Sequence, residues 1–139
     1  MEDKDTQQET TALPFFPEGV AAGFPSPSMG DLQEALDLNS LCIRHHAATY
    51  YIRARGDSMI CAGIEDGDVL VVDRALSPAN GDIIIAALDG EFTVKRMELT
   101  EHSVRLLPEN PDYAPIDLSA ADAAEFFGVV TWVVKQVKK

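Results

Sequence analysis

Basic residues are scarce in this chain. It has 11 Lys and Arg against 23 Asp and Glu, a formal net charge of −12. Residues 1–22 contain one basic and five acidic residues (−4), and residues 23–139 contain ten basic and eighteen acidic residues (−8). Direct binding to nucleic acid depends on clustered Lys and Arg that neutralise phosphates. We therefore expect no direct nucleic-acid binding by either part.

Cysteines and long apolar runs are also scarce. Cys42 and Cys61 form no Cys-x-x-Cys pair, a pattern that favours reduced thiols in a cytoplasmic protein over a disulfide or a zinc site. No apolar run approaches the ~20 residues that a membrane-spanning helix needs. We expect no metal, no other cofactor and no membrane association.

Proline, glycine and polar residues are frequent near the start of the chain. Residues 1–11 are polar and charged, which is typical of a disordered tail. Prolines keep the apolar residues 13–17 from forming a helix, and residues 21–29 are expected to be extended for the same reason. We predict an extended N-terminal arm over residues 1–29 and one folded domain over residues 30–139.

The folded part is predicted to be mainly β, with one or two short helices. A helix is expected over residues 31–41, because Asp31 can cap it with Glu34 three residues later, and Leu32 and Leu36 share a face. Apolar and alternating runs predict six strands, at residues 49–54, 69–73, 82–88, 91–99, 104–107 and 128–137. The dipeptide Asp89-Gly90 between two of these runs predicts a two-residue hairpin.

A serine lies just past the end of the first of these strands, in Gly56-Asp57-Ser58-Met59. Gly56 permits a backbone turn that other residues resist, so the turn presents Ser58. A serine hydroxyl becomes a good nucleophile only beside a base that takes its proton. The three histidines have no acidic partner in a recognisable motif, which gives a Ser/His/Asp triad little support; they are His45, His46 and His102.

Lys95 is the alternative base. Free lysine has a pKa near ~10.4, so a lysine base must lose roughly three pKa units through desolvation. The apolar run 83–88 is expected beside Lys95, and strand alternation places Thr93, Lys95 and Met97 on one face with Arg96 on the other. Thr93 is therefore a candidate for orienting the amine. Taken alone, an edge-strand lysine and a turn serine are the ordinary explanations of these two residues.

Several motifs, in order along the chain, resemble the LexA-type self-cleaving serine peptidases. They are Gly56-Asp57-Ser58-Met59, Asp66-Gly67-Asp68, Asn80-Gly81-Asp82-Ile83 and Glu91-Phe92-Thr93-Val94-Lys95-Arg96. Other features resemble the UmuD-type members of that family, namely Gly23-Phe24-Pro25-Ser26-Pro27, Asp37-Leu38-Asn39, Ala48-Thr49-Tyr50 and Phe127-Gly128-Val129-Val130. The resemblance runs from about Phe15 to Val137.

The resemblance implies a compact β-domain like those of LexA and signal peptidases. It implies that Ser58 is the nucleophile, that Lys95 is the general base, and that the substrate is the chain's own Ala22–Gly23 bond. Ala22 has a small side chain and Gly23 has none, so the bond between them can fit into a narrow active site. Backbone N–H groups around Ser58 are the natural oxyanion hole. Supporting roles would fall to Gly56, Asp57, Met59 and Thr93.

The same resemblance implies a role in the bacterial SOS response to DNA damage. A RecA filament on single-stranded DNA would stimulate self-cleavage. The product would form a homodimer and join the UmuC-like catalytic subunit of DNA polymerase V for translesion synthesis.

Two other functional classes stay open at this point. One is a protein-interaction module whose dyad is silent, and the other is a LexA-like peptidase that acts on separate substrates. A repressor role is disfavoured, because the 22 residues before the bond are acidic, contain prolines and fit no recognition helix. A type I signal peptidase would share the Ser/Lys logic but would need a membrane anchor.

Overall fold

The computed structural model describes residues 11–20, 33–118 and 124–139. The chain divides into two compact units, Met1–Cys42 and Ile43–Lys139. The predicted boundary between arm and domain at residues 29–30 lies outside the described residues, as do the predicted extended segment 21–29 and most of the predicted tail. These three remain predictions.

The described residues of the first unit, 11–20 and 33–42, form two short strands and one short helix. Strand β1 (Leu13–Phe15) pairs antiparallel with β2 (Glu34–Leu36), and helix α1 covers Leu38–Cys42. The Asp37 carboxylate accepts hydrogen bonds from the Thr11 hydroxyl (2.6 Å) and from the backbone N–H of Asn39 (3.0 Å). An acidic side chain that accepts an N–H at the start of a helix satisfies a donor that has no partner within the helix.

The helix predicted over residues 31–41 is wrong over residues 34–36. Glu34–Leu36 are extended, and the helix begins only at Leu38. The backbone of Glu34–Leu36 is satisfied by pairing with β1, a partner about twenty residues away that a local helical pattern does not reveal. Asp37 therefore takes the position at the helix start that was expected for Asp31, which lies outside the described residues.

The second unit is built around a seven-stranded antiparallel sheet, which confirms the mainly β fold class. In chain order its strands are β3 (Thr49–Arg53), β4 (Val69–Asp73), β5 (Ile83–Leu88), β6 (Glu91–Leu99), β7 (Val104–Leu107), β8 (Ile116–Asp117) and β9 (Ala124–Val134). Their order across the sheet is β3-β4-β9-β5-β6-β7-β8. All six predicted strands are present. The last begins at Ala124 instead of residue 128, and β8 was not predicted.

The hairpin predicted at Asp89-Gly90 is confirmed. Leu88 pairs with Glu91 across the turn, and both turn residues have positive φ, 51° for Asp89 and 83° for Gly90. Positive φ at both central positions is the requirement of the tightest hairpin turn, and Asp-Gly meets it at low cost. This hairpin sets the register that places Lys95 opposite Ile84.

Strand β5 lies in the middle of the sheet and is buried on both faces. Ile85 belongs to a cluster with Met59 and Leu70, whereas Ile84 packs in a second cluster with Leu106. A strand with apolar partners on both sides needs apolar residues at every position. This explains why residues 83–88 are an unbroken apolar run and not an alternating one.

Among the glycines that the structure describes, Gly128 is expected to be the least tolerant of substitution. A Cβ built on it would lie 2.5 Å from Val72 Cγ1 and 3.2 Å from the Asp73 carbonyl oxygen, and its φ is +132°. We expect Gly128→Ala to lower the free energy of unfolding by about 2–4 kcal/mol through steric overlap and backbone strain. Chemical denaturation would measure the loss. Gly81→Ala is the matched control, because Gly81 also has a positive φ (+93°) but has no atom within 4 Å of the added Cβ. Its loss should be about 1 kcal/mol, and equal losses in the two variants would contradict the steric explanation.

Candidate active site

Ser58 lies in the turn that follows β3, and this turn is anchored on both sides. Before Ser58, Gly56 has a φ of +82°, and its backbone N–H donates to the Asp66 carboxylate at 2.7 Å. After Ser58, the side chain of Met59 is 2% exposed and packs in the cluster that contains Leu70. The turn is therefore fixed by a hydrogen bond at one end and by core packing at the other.

The amine of Lys95 lies against the Ser58 hydroxyl. Lys95 is in the middle of β6 and is only 9% exposed. Its Nζ donates hydrogen bonds to Ser58 Oγ (3.1 Å), to Thr93 Oγ1 (2.7 Å) and to the Val94 carbonyl oxygen (3.1 Å). Three acceptors around one amine fix its position next to the hydroxyl.

Burial lowers the pKa of Lys95 below its ordinary value, because removing the ammonium from water disfavours its charged form. Within the described residues, no carboxylate forms a salt bridge with Lys95 that would counter this effect. The acceptors Ser58 Oγ and Thr93 Oγ1 are neutral hydroxyls. Burial therefore makes the Lys95 amine easier to deprotonate than that of a solvated lysine, and the deprotonated form is the one that accepts a proton.

A cavity of about 270 Å³ opens beside the Ser58–Lys95 pair. Apolar residues of β3, β4, β5 and β6 and of the turn after β3 form much of its wall, and Arg53 and Arg55 lie on the β3 side. The apolar members are Ile52, Ala54, Leu70, Ile85, Phe92 and Val94. Such a cavity can bind a short apolar stretch of peptide next to a nucleophile.

Two backbone N–H groups near the Ser58 hydroxyl are available as hydrogen-bond donors. In the described part of the chain, the N–H groups of Ser58 and Met59 are assigned no acceptor. Both lie within one residue of the nucleophilic oxygen. Two such donors are what an oxyanion hole requires.

Most of the predicted site residues are brought together. Gly56, Asp57, Ser58 and Met59 form the turn, and Thr93 contacts the Lys95 amine as expected. The predicted cleavage residues Ala22 and Gly23 lie outside the described residues, so their relation to Ser58 remains a prediction.

The neighbours of Lys95 on β6 are directed to other partners. Arg96 donates to the Glu109 carboxylate (3.0 Å) and to the Gly81 carbonyl oxygen (2.6 Å), in agreement with the expected alternation. Met97 packs against the cluster that contains Ile84. Of these three residues, only Lys95 lines the cavity.

Two histidines lie beside a carboxylate, exposed His102 next to Glu101 (3.4 Å) and His45 next to buried Asp73. His45 Nδ1 lies 2.7 Å from the carboxylate of Asp73, which is 4% exposed. Because the two residues are 28 positions apart, no local motif revealed the pair. His45 is not among the residues that line the cavity with Ser58, so the pair does not provide a base there.

Several contacts at the site were missed by sequence reasoning, among them one to Gly56 and one to Lys95. Asp66 was noted only within the motif Asp66-Gly67-Asp68, although its side chain accepts the Gly56 N–H, and the Val94 carbonyl was not considered as an acceptor for Lys95. Turn motifs rich in Asp carry a signal for the first contact, since Asp side chains often accept backbone N–H groups. No side-chain pattern reveals a main-chain acceptor.

Cys42 and Cys61 are both free thiols. Over residues 11–20, 33–118 and 124–139, no helix is long and apolar enough to cross a membrane. The same residues contain no group of three or more His, Cys, Asp or Glu side chains arranged to hold a metal ion.

Comparisons with known proteins show similarity over most of the chain. Residues 14–131 match the family model described as peptidase S24-like. The chain is 47% identical to protein SamA of Salmonella typhimurium over 92% of this chain and 89% of SamA. It is 43% identical to protein MucA of Escherichia coli, over 86% of this chain and 82% of MucA. It is 40% identical to LexA repressor 1 of Xanthomonas campestris, over 84% of this chain and 58% of the repressor.

Proposed function

Because the chain belongs to the peptidase S24-like family, we propose that it is a self-cleaving serine endopeptidase with Ser58 as nucleophile and Lys95 as general base. One observation carries this proposal: the buried Lys95 amine lies 3.1 Å from the Ser58 hydroxyl. That separation is within the reach of proton transfer, and burial favours the neutral amine that transfer needs.

The proposed reaction begins when neutral Lys95 takes the proton of Ser58 Oγ. The oxygen attacks the carbonyl carbon of Ala22, and the N–H groups of Ser58 and Met59 stabilise the oxyanion. Lys95 then gives its proton to the nitrogen of Gly23, which leaves as a new N-terminus. Water hydrolyses the ester between Ala22 and Ser58, with Lys95 again as the base. Each proton taken is returned, so the reaction needs no cofactor.

The proposed substrate is the arm of the chain itself. Ala22 has a small side chain and Gly23 has none, so the scissile bond can approach the nucleophile closely. Val20 and Ala21 precede them, and an extended apolar stretch of this kind suits a cavity with apolar walls. Extended peptides also bind readily along strands.

The proposed biological setting is the SOS response to DNA damage. UmuD-like motifs run through most of the chain, and the identity to SamA, MucA and LexA repressor 1 extends over more than four fifths of it. We infer that a RecA filament on single-stranded DNA stimulates the cleavage. The product beginning at Gly23 then forms a homodimer and joins a UmuC-like subunit in DNA polymerase V. The acidic charge of both fragments favours protein partners over direct contact with DNA.

Incubation of the pure protein at stepwise increasing pH tests the peptidase proposal. Intact mass and N-terminal sequencing of the products should identify one new chain that begins at Gly23. A chain that stays intact at every pH, with and without a RecA filament, would contradict the proposal and favour a silent interaction module.

Thr93→Val tests the proposed orientation of the base. The substitution removes the Oγ1 acceptor 2.7 Å from Lys95 Nζ and keeps the shape of the side chain. We expect the maximal rate of cleavage to fall about tenfold, because the amine loses a partner that fixes it. The hydroxyl stabilises the ammonium, so its loss should also shift the midpoint of the pH–rate profile to lower pH. Thr131→Val is the matched control on β9, and an unchanged profile in Thr93→Val would contradict this role.

A further inference from the structure

Asp57, the residue directly before Ser58, is held by two side chains from a distant part of the chain. The Tyr113 hydroxyl donates to Asp57 Oδ1 at 2.5 Å, and Asn110 Nδ2 donates to the Asp57 carbonyl oxygen at 2.9 Å. One bond fixes the side chain of Asp57 and the other fixes its backbone. Together the two bonds fix the position of Asp57, and with it the backbone that leads into Ser58.

The backbone of the same distant segment holds Ser58 and Cys61. The N–H of Glu109 donates to the Ser58 carbonyl oxygen, and the N–H of Cys61 donates to the Glu109 carbonyl oxygen, both at 2.8 Å. Contacts from Glu109–Tyr113 therefore reach three of the five residues 57–61. We call Glu109–Tyr113 the clamp segment.

The clamp segment is itself tied to the strand that carries the base. Arg96, the residue after Lys95 on β6, donates to the Glu109 carboxylate at 3.0 Å and to the Gly81 carbonyl oxygen at 2.6 Å. A continuous set of hydrogen bonds thus runs from β6 through Glu109 to Ser58. This path is separate from the contact between Lys95 and Ser58.

Asn110 also shapes the clamp segment internally. Its Oδ1 accepts the N–H of Asp112 at 2.9 Å, and its carbonyl oxygen accepts the N–H of Tyr113 at 3.1 Å. A side chain that closes a turn two residues ahead is a common use of asparagine. Asn110 thereby positions Tyr113 while it holds Asp57 directly.

We propose that Tyr113 and Asn110 are positioning residues, which hold Asp57 so that the Ser58 hydroxyl stays within reach of the Lys95 amine. This inference rests on the proposed function. Proton transfer depends steeply on distance and direction, and a displacement of about 1 Å can cost about 100-fold in rate. The hydrogen bond between Lys95 and Ser58 cannot supply this control alone, because Ser58 must leave it to attack a substrate.

The hydrogen bond from Tyr113 to Asp57 is also expected to persist at the alkaline pH at which a lysine acts as a base. Cleavage requires neutral Lys95 and so is favoured at alkaline pH, where an ordinary tyrosine begins to ionise. The hydrogen bond to the Asp57 carboxylate raises the pKa of Tyr113. Tyr113 therefore keeps its proton, and its bond to Asp57, further into the alkaline range than a free tyrosine.

The test measures self-cleavage of the full chain across pH in Tyr113→Phe and Asn110→Asp. The first removes only a hydroxyl, and the second removes the Nδ2 donor but keeps the Oδ1 acceptor for Asp112. Tyr51→Phe is the matched control, since Tyr51 is an exposed tyrosine of β3 (57%) that does not line the cavity. Tyr113 is 46% exposed, so we expect its variant to keep the melting temperature nearly unchanged.

We expect the maximal rate to fall about tenfold in each of the two variants. In Tyr113→Phe the midpoint of the pH–rate profile should stay unchanged, because this substitution changes no charge and leaves the surroundings of Lys95 as they are. In an Asp57→Ala background, adding Tyr113→Phe should have no further effect, because its partner is already gone.

Three results would overturn the proposal. If both variants cleaved at the rate of the unsubstituted chain, the hydrogen bonds from Tyr113 and Asn110 to Asp57 would not be needed to position Ser58. A rate that falls only in step with the folded fraction would show a structural role alone. An unsubstituted chain that never cleaves would overturn the proposed function, and this inference with it.

Discussion

Ser58→Ala and Lys95→Met are each expected to reduce self-cleavage between Ala22 and Gly23 by at least about 10³-fold, to below detection. The first removes the oxygen that attacks the carbonyl, and the second removes the base that activates this oxygen. The double variant should be no slower than either single variant, because the two groups act as one unit. Timed incubation with intact-mass detection of the chain beginning at Gly23 measures all three rates.

Lys95→Arg tests whether the residue at position 95 acts by taking a proton or only through its positive charge. Arginine keeps a cation and hydrogen-bond donors at this position but does not become neutral in proteins, so it cannot take a proton from Ser58. We expect this variant to be as inactive as Lys95→Met. Ser103→Ala and Lys138→Met are matched controls outside the cavity, and both should cleave normally. Cleavage that persists in Ser58→Ala or in Lys95→Arg would contradict the dyad.

The same variants distinguish the two alternative functions. A silent interaction module would give no Gly23 product even in the unsubstituted chain. A peptidase for separate substrates would cut an unrelated Ala-Gly peptide with repeated turnover, and Ser58→Ala would abolish that activity too. The proposed self-cleavage instead cuts each chain at most once, because its substrate is the single bond between Ala22 and Gly23.

The central part of the fold could be predicted because its determinants are local. Asp89-Gly90 fixes a hairpin through the positive φ of both residues, and this hairpin fixes the strand and face on which Lys95 lies. Gly56 and the period-two alternation of β6 made Ser58, Lys95 and Thr93 candidates, and the resemblance to the LexA-type peptidases then implied the roles of Ser58 and Lys95. The 3.1 Å between the serine and the lysine is a tertiary distance, which only the folded chain provides.

The parts that sequence reasoning missed depend on partners far along the chain. Glu34–Leu36 has the pattern of a helix but pairs with Leu13–Phe15 as a strand. The two-residue strand β8 is too short to carry a pattern of its own. Tyr113 is 56 positions from Asp57, and neither a tyrosine nor an aspartate indicates by its type which distant residue it contacts. Long-range pairing overrides local propensity in each of these places.

The rate of self-cleavage is expected to rise about tenfold per pH unit below the pKa of Lys95 and to level off above it, because only the neutral amine is a base. Burial lowers this pKa below the ordinary value of 10.5, so the plateau should begin at a lower pH than a solvated lysine would allow. First-order rates from about pH 6 to about pH 10, with Ser58→Ala as the blank, measure the profile. A flat profile, or a midpoint at the ordinary lysine value, would contradict a desolvated base.

The same ionisation should be visible in the stability of the fold, without any cleavage. In a Ser58→Ala background, the unfolded chain binds a proton on Lys95 up to about pH 10.5, whereas the folded chain releases it at lower pH. Between these two pKa values the unfolded state binds more protons, so the free energy of unfolding should rise with pH. Adding Lys95→Met should remove this part of the rise. If the rise were unchanged, the neutral amine would not be the form that the folded site favours, and an alkaline increase in cleavage would then need another titrating group.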